Sequence, residues 1–139
     1  MSAPDPGPYR RVHFLDEARE DLRGVARRSP AVLREVFRLL KLLDDGKLRP
    51  QALQNFGKTG DLSDCGKIVV ALEDEPEHRI VVRSVDGGFR VCEVVAVDDR
   101  TQDLPYLLAG LRLERIKDPI RRSDTQRRVF RIRKLLGGQ

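Results

Sequence analysis

Lys67, Arg79, Arg83, Arg100 and Tyr106 fall within one stretch of this 139-residue chain, Gly66 to Arg112, and they set the kind of chemistry it could perform. No Cys or His pair there stands at ligand spacing and no pair of acids is set apart, so neither a metal nor a cofactor is expected. The stretch offers fixed positive charge with a phenol beside it. Guanidinium groups stay charged and match the geometry of a phosphate, which makes an anionic substrate the natural target.

The elements that must position these residues are short. Three Val- and Ile-rich strands are expected at Lys67 to Leu72, Arg79 to Val85 and Arg90 to Val97, then a helix from about Asp103 to Leu113. Asp86-Gly87-Gly88 joins the last two strands as a hairpin turn, because glycine takes positive φ without steric cost. Alternation puts Arg79, Val81 and Arg83 on one face and Ile80 and Val82 on the other. The apolar pair suits a helix-covered core, which leaves the arginines on an open face. In the third strand Val91, Glu93, Val95 and Val97 oppose Cys92, Val94 and Ala96. Asp103 is placed to cap the helix, with Pro105 and Tyr106 in its first turn, and His78 reads as a turn residue.

Upstream, Met1 to Pro8 reads as a flexible arm. A first strand at Tyr9 to Leu15 points Val12 and Phe14 one way and Arg11 and His13 the other. Asp16 caps a helix carried by Ala18, Leu22 and Val25. Ser29-Pro30 starts a second on Val32, Val36, Leu39 and Leu43, and Gly46 closes it in a left-handed conformation. The two helices form an antiparallel pair. Leu48, Leu53 and Phe56 hold the next connection against the fold. Gly57-Lys58-Thr59-Gly60 has the composition of a phosphate loop without its spacing, since Lys58-Thr59 lies between the glycines instead of after them. Cys65 and Cys92 are too few for a disulfide framework and read as reduced thiols.

The net charge of +5 is unevenly spread. From Arg112 onward ten Lys or Arg meet three Asp or Glu, giving +7, so the preceding residues carry 17 minus 19, or −2. A cationic tail on a near-neutral body supplies sequence-independent attraction to phosphate. No apolar run approaches the roughly 20 residues needed to span a bilayer, and the N-terminus lacks a signal peptide's apolar centre. Cytoplasmic residence without membrane contact is the expectation.

Asp64-Cys65-Gly66-Lys67-Ile68, His78-Arg79-Ile80-Val81-Val82, Val94 to Arg100, and Tyr106 with Ala109 and Arg112, taken in this order, resemble the RelE/ParE toxin superfamily of bacterial toxin–antitoxin systems. The resemblance covers about Tyr9 to Arg115. It implies an α+β fold: a small antiparallel-rich sheet of about four strands backed by an N-terminal helical hairpin, with a short helix after the last strand. It divides the chain into residues 1–8 as arm, 9–117 as toxin-like domain and 118–139 as basic extension.

The RelE branch cuts messenger RNA in the ribosomal A site, without a metal, by attack of a ribose 2′-hydroxyl on the adjacent phosphate. The resemblance therefore implies an endoribonuclease (an mRNA interferase) that inhibits translation and has a cognate antitoxin, the ribosome and mRNA as partners. By the same resemblance Lys67 would assist deprotonation of the 2′-hydroxyl, Arg79 would stabilise the pentavalent phosphate, Arg100 would steady the leaving oxygen and Tyr106 would stack on a base. The family's nucleases often carry a second lysine where this chain has Val69, and Lys58 is the candidate to replace it. Arg83 and, in the extension, Arg121, Arg122, Arg127, Arg128, Arg131, Arg133 and Lys134 are the candidate RNA-binding residues. Pro119 ends the last helix of the domain. Beyond it Val129, Ile132 and Leu136 suit a helical stripe, while Phe130-Arg131-Ile132-Arg133 alternates as a strand would; both readings stay open. The alternative functions are a ParE-like DNA gyrase inhibitor without nuclease activity and a non-enzymatic RNA-binding module.

Overall fold

The computed structural model describes residues 9–137, so the arm expected at Met1 to Pro8 lies outside the described residues. The Val- and Ile-rich runs form strands β5 (Cys65–Val70), β6 (His78–Ser84) and β7 (Cys92–Asp99), each shifted by one or two residues from its expected limits. They pair antiparallel. Upstream, β1 (Val12–Phe14) adds to β7 in parallel and β2 (Gln51–Ala52) adds to β5, giving a five-stranded sheet in the order β1-β7-β6-β5-β2. A separate ribbon of β3 (Asn55–Phe56) and β4 (Gly60–Asp61) lies in the connection before β5. The fold is α+β, with a helical layer on each face of the sheet.

The first layer is the expected hairpin of α1 (Asp16–Arg28) and α2 (Pro30–Asp44). Leu22, Val25, Val32, Val36 and Leu40 pack on Ile68, Val70, Ile80, Val82 and Val94, the inward face that alternation selects. Ser29 caps α2 by accepting from the Val32 amide at 3.2 Å, with Pro30 at the first helical position. Gly46 takes φ +73° beyond the last turn, where a side chain would be strained. Asp16, expected as a cap, is the first residue inside α1; Leu15 occupies the capping position and makes no side-chain cap. The carboxylate there acts only through its charge on the first turn.

The second face is not open. Helices α3 (Leu104–Arg112) and α4 (Pro119–Leu135) cover it, and Leu104, Leu107, Leu108, Val129 and Ile132 bury Val81, Val95 and Ala96. A sheet covered on both sides is apolar on both sides, which is why β7 carries an almost unbroken apolar run. Pro119 opens a helix where the sequence suggested an end: Asp118 accepts from the Ile120 amide at 3.3 Å and Pro119 takes the first position, repeating the Ser29-Pro30 device. The tail is thus helical, and Val129 and Ile132 belong to the core while Phe130 points outward.

Two further expectations change. In the β6–β7 pairing Val81 faces Ala96 and Val82 faces Val94, so Val95 is an extra residue, a β-bulge. Val95 and Ala96 therefore both join the second core, and Val97 returns to the first, opposite to the simple alternation. His78 lies inside β6 and is buried, with Nδ1 2.8 Å from the Pro76 carbonyl oxygen, so it is a strand residue. The β6–β7 connection also runs from Val85 to Val91 and so is wider than a two-residue turn.

One buried ion pair joins the two layers. Beyond the end of β1, the outer edge of β7 would present an unpaired Val97 amide and Val95 carbonyl. The Asp21 carboxylate of α1 accepts from Val97 N at 2.9 Å, and Arg112 of α3 donates to Val95 O at 2.9 Å and to both Asp21 oxygens at 2.6 and 2.9 Å. Arg133 of α4 adds a bond to Asp21 at 3.1 Å, and Arg28 of α1 pairs with Asp98 at 2.8 Å. Burial pushes the Asp21 carboxyl above its ordinary pKa, and the Arg112 bonds and charge pull against it. Arg112→Met should lower stability by about 3–5 kcal/mol in urea unfolding, because it leaves a buried carboxylate without its main partner. Asp21→Asn/Arg112→Met should recover part of that loss. A single variant within 1 kcal/mol or so of the parent would mean the pair does not organise the fold.

Candidate functional site

Strand β6 delivers Arg79 to the second face near the sheet's end, where α3 no longer shields it fully. Its side chain is 12% exposed, and Nε donates to the Tyr106 hydroxyl at 3.2 Å. Tyr106 reaches that point because it lies in the first turn of α3, just after the turn that ends β7. Gln102 and Asp103, between Arg100 and Tyr106, both take left-handed conformations at φ 50° and 63°, each costing of order 1–2 kcal/mol outside glycine. This makes the reversal tight enough to bring strand end and helix start together. Asp103 occupies the capping position expected for it but makes no cap bond. Its carboxylate faces Lys58 Nζ at 3.3 Å instead.

Lys58 reaches this place from the loop between β3 and β4. Gly110 is four residues beyond Tyr106 and so on the same side of α3, and the loop backbone lies directly on it. A Cβ at Gly110 would stand 2.5 Å from the Thr59 carbonyl oxygen. Arg115 fastens the ribbon's other side, bonding both Asp64 oxygens at 2.9 and 2.8 Å and the Asp61 carbonyl at 2.7 Å, while Arg121 of α4 touches the Gly57 carbonyl. A concavity of about 300 Å³ remains between loop and helix, lined by Gly57, Lys58, Thr59, Asp103 and Tyr106.

Glu77 is the residue that sequence reasoning missed. Its carboxylate contacts Arg79 Nη1 and lies 3.7 Å from Arg100 Nη1, so one acid bridges both arginines. Two-residue alternation from Arg79 would have placed it on the same face. Arg100 is 59% exposed and its amide donates to the Glu77 carbonyl at 3.0 Å. Lys67 lies half-buried on β5 opposite Val81, diagonal to Arg79 on the same sheet face. The residue directly opposite Arg79 is Val69, 43% exposed. The structure thus brings together Arg79, Arg100, Tyr106 and Lys58, with Lys67 across the sheet face from them.

The remaining cations divide into two groups. Arg83 pairs with Glu93 across strands at 3.0 Å, and Arg133 is held by Asp21 and Asp98, so both serve the fold. Arg122 donates to the Ile116 and Lys117 carbonyls. Arg127, Arg128, Arg131 and Lys134 are exposed along α4, with Arg127 beside Asp124 at 2.9 Å. The cysteines are poor nucleophiles: burial pushes the Cys65 thiol up to about 12 and the Cys92 thiol up to about 11. Among the described residues no group of three or more His, Cys, Asp or Glu is arranged to hold a metal ion, and no helix is long and apolar enough to cross a membrane. No family model, curated protein or solved structure matches the chain.

The packing of the loop on α3 is open to a direct check. Gly110→Ala should cost about 1–3 kcal/mol in denaturant unfolding, the usual range for over-packing, and should move the Lys58 and Thr59 amide signals in a ¹H–¹⁵N spectrum. Gly57→Ala, with nothing within 4 Å of the added carbon, should leave stability nearly unchanged. Equal effects from the two substitutions would refute the role given to Gly110.

Proposed function

We propose that the protein is a toxin-like, ribosome-dependent endoribonuclease that cuts messenger RNA and is held in check by a cognate antitoxin. The observation that carries this reading is that Tyr106, which lines a concavity together with Lys58, accepts a hydrogen bond from Arg79. A phenol and an ammonium group lining a space of about 300 Å³, with a guanidinium bonded to the phenol, suit a ribose–phosphate unit. In the RelE branch that the chain resembles, these are the residue types that handle the reaction.

The chemistry assigned to them is attack of a 2′-hydroxyl on the adjacent phosphorus, leaving a 2′,3′-cyclic phosphate and a 5′-hydroxyl. Negative charge grows on the phosphate as the new bond forms, and preorganised donors stabilise it in proportion to how rigidly they are held. Arg79 is held by Tyr106 and Glu77, which restricts it before substrate arrives. Arg100, exposed beside it, supplies charge to the leaving oxygen. Lys58, which lines the concavity with Tyr106, is assigned the part of the cation missing at Val69, and Lys67, on the same sheet face as Arg79, that of assisting deprotonation of the 2′-hydroxyl. An incoming phosphate replaces the Glu77 carboxylate between the two arginines, exchanging one anion for another.

A purified translation system tests this. The expected result is arrest with mRNA cut at the A site and cyclic-phosphate ends. Arg79→Ala and Arg100→Ala should each slow single-turnover cleavage about 100-fold at unchanged ribosome affinity. Thermal melting checks that each variant stays folded, which matters for the partly buried Arg79. Intact mRNA on stalled ribosomes at saturating protein would end the nuclease reading. Intact mRNA together with blocked DNA supercoiling would assign the gyrase-binding alternative in its place.

A further inference from the structure

Helix α4 carries a second functional feature, distinct from its buried stripe. Phe130 is 59% exposed on the side of the helix away from the core, an unusual place for a large aromatic ring. Lys134 Nζ stands 5.1 Å from the ring centroid. Arg127, three residues before Phe130, and Lys134, four after, share its side of the helix, and Arg131 follows at the margin. From that margin two concavities run along α4. One, of about 310 Å³, is lined by Arg121, Arg128 and Arg131 with Lys58 across from them; the other, of about 470 Å³, by Arg128, Arg131 and Lys134 with Gln102 opposite. They share Arg128 and Arg131. Lys58 also lines the concavity at Tyr106, so a cationic surface continues to the candidate site from Arg131, at the margin of the Phe130 side; Phe130 itself lines neither concavity along α4.

We propose that the outer surface of α4 is a track for single-stranded RNA, in which Phe130 stacks on a base on one flank and, across the margin, Arg131, Arg128 and Lys58 hold successive phosphates. An exposed aromatic ring amid cations is what sequence-tolerant binding of single strands uses, since every base has a π-face and every nucleotide a charge. The run from Arg121 to Lys134 spans roughly 20 Å at 1.5 Å per residue, which suits a few nucleotides. Concavities of about 310 and 470 Å³ are of a size to take a nucleotide. Asp124 is the acid lining the first concavity, and it sits beside Arg127. That the strand is RNA leading toward Tyr106 rests on the cleavage reading; that α4 binds a single strand does not.

The test uses the full chain and a fluorescently labelled 12-nucleotide 2′-O-methyl RNA, which binds but cannot be cut. Anisotropy titrations at several salt concentrations should show affinity falling with salt. Replacing Arg128 and Arg131 with Gln should reduce the magnitude of the log–log slope by about 0.7 for each phosphate no longer neutralised. Phe130→Ala should weaken binding about 10-fold or more with little change in slope, while Phe130→Trp should retain it. Exposure of Phe130 means these variants should melt like the parent, and circular dichroism verifies it. Unchanged affinity in folded Phe130→Ala would overturn the stacking role. Tighter binding of a duplex of the same length, or equal competition by polyglutamate, would overturn the single-strand assignment. Binding to this oligomer with no mRNA cleavage would leave the track standing and remove the nuclease reading. Cleavage with no binding would do the reverse.

Discussion

A carboxylate as deeply buried as Asp21 is tolerable only because Arg112 meets it bidentately and the Val97 amide completes its bonds. The desolvation of two such groups is costly, and only good geometry with few unsatisfied atoms offsets it. That geometry has strong consequences here, because its members come from different layers. Asp21 belongs to the helical hairpin, Arg112 to the helix on the opposite face, and the Val95 and Val97 backbone to the strand edge between them. Fixing the pair fixes how both helical layers sit on the sheet. Arg133 extends the arrangement to α4, whose apolar anchorage is slight: Val129 and Ile132 contribute about 1.5–3 kcal/mol each by burial. A polar helix with so narrow an apolar stripe needs the charged partner to define its rotation.

The same dependence on a few well-placed partners shapes the candidate site. Its cations come from a strand, a strand end and a loop, and each is placed by something else: Arg79 by Tyr106, Arg100 by its amide bond to the Glu77 carbonyl, Lys58 by the bare surface of Gly110. Glu77 and Asp103 balance these charges at rest. Two arginines brought close without an anion between them would repel, so Glu77 makes the arrangement stable in the absence of substrate. In the proposed reaction, therefore, little is gained by binding a bare phosphate, and affinity has to come from interactions along a longer strand.

The parts of the fold written in local pattern were legible. Ser29-Pro30, the period of Val32, Val36, Leu39 and Leu43, and the Val-rich strands all describe interactions among near neighbours in sequence. The parts that failed depend on distant partners. Nothing near Val81 says that α3 and α4 will cover it, so alternation with two arginines read as an open face. The Asp118-Pro119 start was visible by the same rule as Ser29-Pro30, but the weak apolar stripe behind it concealed the helix. The Val95 bulge reversed the faces of β7 because periodicity carries no mark where a residue goes unpaired. At the site, Arg79, Arg100, Tyr106 and Lys58 were all candidates from the sequence, but that Lys58 lies beside Tyr106 depends on the close approach of its loop to a glycine far along the chain. Glu77 was overlooked because acids were sought as catalysts instead of as counterions.

That bulge also makes β7 a strand of two phases. Up to Val94 its odd and even positions address one pair of surroundings; from Ala96 onward the parity is exchanged, so Val94 and Val97 point the same way although three residues apart. Everything that follows inherits the second phase: Asp98 toward Arg28, and then Arg100 beside Glu77. Were Val95 paired in register instead of standing out of the ladder, every later residue would move on by one and the assignments would invert, turning Asp98 away from its arginine and Arg100 away from Arg79. The segment downstream therefore depends on one residue staying out of the ladder, and the pairing of Val81 and Val82 fixes where the parity changes.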